Sequence, residues 1–270
     1  MRLGVYVRNM GPQSAPDTVV ACARAVEDLG LAHLWVGDHI AIPPDDAEGS
    51  DGRYLDPLAT LAFLAGCTTR IELGMGVLVL PYRPALPTAK WVATIQELSR
   101  GRLLLGVGVG WMQPEFRATG ADFRRRGRVS DETLEFFRRC FAGDVVEANG
   151  QPFLFRPRPP RPPILVGGGP GPAFPRVLRF GDGWMPFAAE PDDLAPQIAE
   201  LRRQCAAAGR PAPRIVAVTR LDLADRPAAT ARAQAFAAAG VTDLVHGWRY
   251  AGYDDFRTAA EALAALAPHG

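Results

Sequence analysis

Lysine is almost absent from this chain: Lys90 stands alone among 30 basic residues, and the rest are arginine. Against 29 acidic residues this leaves a formal net charge of +1, which demands no nucleic-acid or anionic-membrane partner. Cysteine is scarce as well. Cys22, Cys67, Cys140 and Cys205 are far apart, form no C-x-x-C pair and fall in segments that read as helices. They are read as reduced thiols rather than disulfide halves or metal ligands. No H-x-x-x-H or close Cys/His set is present, so no metal site is expected. The G-x-S-x-G nucleophile elbow is missing, which argues against an α/β-hydrolase. No apolar run reaches the roughly 18 residues of a membrane span. Met1 leads straight into a strand pattern without a charged leader, so a cytoplasmic protein is expected.

What is present is a repeated alternation of short apolar runs with longer helical periodicity. The 270 residues, 48% of them hydrophobic, suit one large domain, and α/β barrels typically run to about 250 residues. Residues 3–7 form a first β-rich run. Asp17, after Pro16, reads as the N-cap of a helix whose apolar spacing (Val19, Ala23, Val26, Leu29) ends at Gly30. Further strands are expected over 34–36, 71–79 and 103–109, with helices over 57–66, 87–99 and 130–141. The unbroken apolar runs suit strands buried on both faces, as parallel sheets require. Residues 145–163 are rich in proline and aromatics and carry an Asn149-Gly150 hairpin signal. They read as an excursion between the fourth and fifth strands. Weaker strands over 164–166, 183–186, 215–219 and 244–246 then alternate with helices over 174–180, 193–208, 228–239 and 254–266. Eight strand–helix units predict an α/β fold, a (β/α)8 TIM barrel over 1–270 as one domain; an open doubly wound sheet usually has five or six strands.

Active sites of such barrels gather at the C-terminal strand ends. Those ends carry Gly37-Asp38-His39, Met75-Gly76-Val77, Gly106 through Trp111, Gly167 through Gly171, Gly183 through Pro186, and His246 near Trp248. Glycines running into a helix let backbone N–H groups approach an anion, which makes 167–171 a phosphate-site candidate, although plain turn chemistry reads the same way. Gly106-Val107-Gly108-Val109-Gly110 resembles part of a dinucleotide fingerprint, but no acidic residue closes a second strand about 20 residues later. His39, beside Asp38, is placed to hydrogen-bond or shuttle a proton; its alternative reading is structural. His246 is a second candidate, and His33 and His269 are read as solvated. The basic run Arg124–Arg128 reads as a solvated face paired with acids such as Asp131 and Glu132, or as an attraction for an anionic cofactor tail.

These residues form an ordered pattern. Leu34-Trp35-Val36-Gly37-Asp38-His39, Asp56-Pro57, Thr69-Arg70-Ile71 and Leu73 through Pro81 resemble the luciferase-like monooxygenase superfamily. So do Leu98 through Leu103, Gly110-Trp111, Glu115-Phe116, Gly127-Arg128, Asp131-Glu132, Val166 through Gly169 and Gly181-Asp182-Gly183-Trp184. The likeness covers about residues 1–190 and is greatest to the branch using coenzyme F420, an 8-hydroxy-5-deazaflavin. It implies that Asp38 and His39 lie beside the cofactor ring, with His39 near the reacting carbon. Gly76 and Val77 would form a strand bulge whose non-proline cis peptide backs the ring. Val109 and Gly110 would form one side of a phosphate cradle, and Gly168, Gly169 and Pro170 the other.

Two positions depart from that branch. Pro43 stands where its sugar-phosphate and alcohol dehydrogenases carry tryptophan, and Trp111 where they carry a glutamate as proton partner, so the acid/base pair for oxidising an alcohol is half missing. The resemblance therefore implies hydride transfer between coenzyme F420 and a small organic substrate, with reduction favoured over alcohol oxidation. That substrate would stack among Trp111, Trp184, His39 and a mobile loop over 41–54. An FMN-dependent monooxygenase using reduced flavin and O2 is the alternative. A cofactor-less barrel serving as a binding subunit is a third reading. A homodimer is the family's usual state.

Overall fold

The computed structural model describes residues 1–187 and 190–267; His269 lies outside them. Its strands are β1 (Arg2–Tyr6), β2 (His33–Val36), β3 (Glu72–Val79), β4 (Leu103–Gly108), β5 (Val145–Ala148), β6 (Gln151–Leu154), β7 (Ile164–Gly167), β8 (Gly183–Met185), β9 (Arg214–Thr219) and β10 (Asp243–His246). Eight of them close a parallel barrel in the cyclic order β1-β10-β9-β8-β7-β4-β3-β2, while β5 and β6 form a separate antiparallel hairpin. The TIM-barrel expectation is the observed fold. Asn149 and Gly150 turn the hairpin with φ of 52° and 76°, the paired positive values of a tight turn that follows strand twist.

The helices are α1 (Pro16–Asp28), α2 (Pro57–Cys67), α3 (Ala85–Leu98), α4 (Gln113–Thr119), α5 (Arg126–Ala142), α6 (Pro170–Phe180), α7 (Pro191–Ala207), α8 (Arg226–Ala238) and α9 (Tyr253–Ala264). No described helix is long and apolar enough to cross a membrane. Two expectations need correction. Ala15, not Asp17, caps α1, because Pro16 takes the first helical position, where a missing N–H costs nothing. The short α4 was not foreseen at all. It ends at Gly120, whose φ of 71° closes the helix in the left-handed conformation.

Apolar packing falls into an outer layer, where strands meet helices, and an inner plug of Trp35, Leu104, Leu165, Met185, Val216 and Val245. Trp35 fits inside only because its neighbour on β3 is glycine: a Cβ at Gly74 would stand 2.2 Å from the indole. Gly4 likewise admits the His33 ring, since a Cβ there would lie 1.9 Å from Nδ1.

His33 is therefore not solvated, as its sequence position suggested, but fully buried at the start of β2. Its Nδ1 accepts the Trp35 indole N–H at 2.8 Å, which leaves the proton on Nε2, 3.2 Å from Asp243 Oδ1. Arg2, Glu72, Arg214 and Asp243 complete an ion network at this N-terminal face, with Arg214 bridging Glu72 and Asp243 at 2.9 and 2.7 Å. Burial lowers the His33 pKa. Asp243 resists burial through hydrogen bonds from His33 and Arg214 and stays well below the usual carboxylate range.

His246 is a core residue as well, not a site residue. It is buried, stacks 4.5 Å from Trp248 and accepts the Leu221 N–H on Nδ1 at 3.1 Å. Burial, aided by the Arg220 charge, lowers its pKa from 6.5 to about 4. A histidine held neutral in the fold but protonated when unfolded contributes stability that is complete above its unfolded pKa and lost as pH falls below it. For His246 the loss should reach on the order of 2–3 kcal/mol by about pH 4.5. Thermal unfolding should show a midpoint that falls between pH 7 and pH 4.5, with part of the fall removed in His246→Gln. An unchanged pH slope in that variant would contradict the assignment.

Candidate active site

The C-terminal strand ends surround a cavity of about 430 Å³. β1 continues into Arg8 and Asn9, β2 into Gly37, Asp38 and His39, and β4 into Val109, Gly110 and Trp111; Gly76 and Val77 of β3 and Gly167–Gly169 complete the wall. Of the residues singled out in sequence, His39, Asp38, Trp111, Gly76, Val77, Val109, Gly110, Gly168 and Gly169 thus line one space. Pro170 does not; Pro172 and Arg176, further along α6, do.

The β3 wall is irregular, as the resemblance implied. Pairing with β4 shifts register between Met75 and Leu78, and the Gly76–Val77 peptide is cis. Tyr6 donates its hydroxyl to the Gly76 carbonyl at 2.9 Å. Across the cavity, Gly168 has a φ of 128°, and a Cβ on Gly168 or Gly169 would meet nothing within 4 Å. The space beside this loop is open. Pro170 and Pro172 lack N–H groups, so Gly169 and Gly171 hold the unpaired backbone donors of the first turn of α6. Arg176 is tied to Asp131 at 2.6 Å.

Trp184 departs from expectation. It is buried and donates its indole N–H to the Gly168 carbonyl at 2.7 Å, so it braces the glycine loop from behind rather than facing a substrate. Trp111 is 68% exposed at the rim. The loop over 41–54 is anchored at its far end, where Gly11 N–H donates to the Arg53 carbonyl at 2.9 Å and Arg53 Nε to Ser14 Oγ at 2.8 Å. Within the basic run, Arg128 pairs with exposed Glu132 at 2.7 Å and Arg126 lies over Phe123, and none of its arginines lines the cavity. The solvated-face reading holds for Arg124, Arg125 and Arg128, whereas Arg126 is half-buried and Asp131 pairs with Arg176 instead.

Asp38 reaches the cavity wall, but its carboxylate is engaged elsewhere. It accepts the Val79 N–H at 2.8 Å and both ends of the Arg83 guanidinium at 2.7 and 2.9 Å. Arg83 also holds Asp56 at 2.9 Å, and Asp56 caps α2 through the N–H groups of Leu58 and Ala59. Asp38 therefore ties β2 to β3 and fixes the backbone that carries His39.

Glu115, in the first turn of α4, is the functional residue that sequence reasoning missed. Its side chain is 1% exposed and accepts from His39 Nδ1 at 2.8 Å, Ile40 N–H at 2.7 Å, Ala41 N–H at 3.0 Å and Tyr82 hydroxyl at 3.1 Å. Burial pushes its pKa up, but the hydrogen bonds from His39, Ala41 and Ile40 outweigh it and hold the carboxyl at about 2. An ionised carboxylate only accepts, so His39 carries its proton on Nδ1. Nε2 has no hydrogen-bond partner among the described residues. The imidazole stands 5.1 Å from the Tyr54 ring and 6.5 Å from that of Trp111. A carboxylate thus reaches His39 from position 115, four residues beyond Trp111. The sequence signal was Gln113-Pro114-Glu115, an early proline with an acid in the first turn of a helix.

A family model described as luciferase-like monooxygenase matches residues 1–268. The chain belongs to that family. An uncharacterized protein of Mycobacterium tuberculosis is 33% identical over 269 residues, covering 92% of this chain and 93% of its own length. The F420-dependent hydroxymycolic acid dehydrogenase of the same organism is 31% identical over 217 residues, 77% of this chain and 59% of that protein. Among solved structures, a monooxygenase from Streptomyces bottropensis shares the fold with a TM-score of 0.81 at 19% identity, covering 98% of both chains.

The family member's Asp38–Arg83 tie can be tested directly. Arg83→Met leaves a buried carboxylate without its partner and should cost about 3–5 kcal/mol in urea unfolding. Adding Asp38→Asn should recover part of that loss. A cost below about 1 kcal/mol, the range of exposed pairs, would refute the tie.

Proposed function

We propose that this protein is an oxidoreductase transferring a hydride between coenzyme F420 and a small organic substrate at the barrel mouth. The observation that carries the reading is His39, fixed by Glu115 with Nε2 unpartnered, on the wall that also holds the irregular Gly76–Val77 segment. The F420-dependent relative, at 31% identity, supports the choice of cofactor.

The residues present fit a phosphorylated tricyclic coenzyme. The cavity is glycine-walled, the space at Gly168 and Gly169 is open, and Gly169 offers a free N–H there. Gly76 and Val77 would support the ring, and Val109, Gly110, Gly168 and Gly169 would border its phosphate-bearing tail. When bound, the deazaflavin supplies or accepts the hydride. His39, bare at Nε2, would take up the matching proton there from an oxygen of the substrate and return it in the reverse direction. Glu115 keeps the imidazole in one tautomer and one orientation. Trp111, Tyr54 and Tyr6 restrict water around the substrate. Glu115 places a carboxylate beside His39, which weakens the case for a cofactor-less subunit that Pro43 and Trp111 raised.

The family description favours one second reading, a flavin monooxygenase with FMN in the same cavity. A deazaflavin has carbon where flavin forms its oxygen adduct, so oxygen separates the two. Parallel fluorescence titrations with F420 and FMN should show quenching of F420 at micromolar concentrations, and turnover should be indifferent to O2. Tighter FMN binding with O2 consumption would transfer the assignment to the monooxygenase. Binding of neither would overturn both.

A further inference from the structure

The cavity wall carries four charged side chains besides His39, and three of them are neutralised: Asp38 by Arg83, Glu115 by His39 and its N–H donors, and Arg176 by Asp131. Arg8 is different. It is 6% exposed, its Nη2 donates to the Gly49 carbonyl at 2.9 Å, and its Nε is buried with no hydrogen-bond partner. It forms no ion pair among the described residues. Asp51 lines a neighbouring cavity of about 380 Å³ that Arg8 also borders, yet the two make no salt bridge. Nε is walled off from any ligand, whereas Nη1 makes no hydrogen bond among the described residues and is not enclosed, so it is the end an acceptor can reach. A guanidinium this buried and without a counter-charge is costly, and a carboxylate is the acceptor that best offsets it.

The position of Arg8 decides which anion this is. It follows β1, and in the cyclic strand order β1 and β7 are four steps apart in either direction. Arg8 therefore stands across the barrel mouth from the Gly167–Gly169 loop, where the coenzyme's phosphates are proposed to lie. One anion site cannot serve both ends. On the Arg8 side the wall is formed by Tyr6, Asn9, Met10, His39 and Tyr54. Resting on the function proposed above, we infer that the substrate is a carboxylic acid whose carboxylate is received by Arg8, with its reducible or oxidisable carbon directed toward His39. Arg8 is a specificity-determining residue that offsets the substrate's charge, while the neutral wall beside it leaves the remainder of the substrate apolar.

The test compares acids with their amides, using benzoate against benzamide and octanoate against octanamide, by calorimetric titration of the F420-loaded protein. One charge-assisted contact of this kind is worth about tenfold or more in affinity. At least one acid should bind the wild type that much more tightly than its amide. Arg8→Gln should abolish the preference while leaving F420 affinity unchanged, and Arg8→Lys should restore part of it. Equal binding of acids and amides to the wild type would overturn the inference without requiring any variant to fold. So would a preference that survives Arg8→Gln, or a loss of F420 affinity in that variant with acid binding intact. If F420 does not bind, the proposed function fails separately, and the acid–amide comparison on the unloaded protein still decides the role of Arg8.

Discussion

One buried carboxylate organises the mouth of this barrel. From the first turn of α4, Glu115 gathers a histidine and two consecutive backbone N–H groups from the segment after β2 and a phenol from the turn after β3. The carboxylate they meet is itself buried, and a buried donor or acceptor left unmet is costly. Together they fix where the chain turns after His39 and which imidazole nitrogen carries the proton. Asp38 does equivalent work one residue earlier by binding Arg83 and Val79 N–H across to β3. The backbone at Gly37 is held from the other side by Asn9, which donates to its carbonyl at 2.8 Å and accepts its N–H at 3.1 Å. Three side chains thus secure three successive positions.

The two ends of the barrel use charge in opposite ways. At the N-terminal face, Arg2, Glu72, Arg214 and Asp243 pair with one another, and His33 Nε2 lies buried 3.2 Å from Asp243 Oδ1. At the C-terminal face, His39 Nε2 and Arg8 Nε have no hydrogen-bond partner among the described residues, and the first turn of α6 keeps free backbone donors. A charge network closed on itself at one end and open donors around the cavity at the other suit a fold with a stable bottom and a reactive top.

The barrel was legible because its signal is repetitive. Eight apolar runs with helices between them predict closure even where single boundaries are weak, and the glycine-rich strand ends marked most of the cavity wall. What escaped shares a cause: it depends on contacts between segments distant in sequence. Glu115 is 76 residues from His39 and sits on a seven-residue helix too short for periodicity to reveal. His33 read as solvated because the glycine that makes room for it lies on another strand. Trp184 read as a substrate contact, yet alternation along β8 turns it away from the barrel interior and behind the Gly168 loop. Asp38 was found, but its engagement by Arg83 could not be read from a strand end alone.

The central claim is that Glu115 presents His39 to the cavity with Nδ1 protonated and Nε2 bare. Nitrogen-15 histidine spectra at pH 8.5, assigned with His39→Asn, read the tautomer of each ring directly. His33 and His246 accept on Nδ1 and should appear as Nε2–H forms, whereas His39 should appear as the Nδ1–H form and lose that preference in Glu115→Leu. A wild-type His39 protonated on Nε2 would contradict the account.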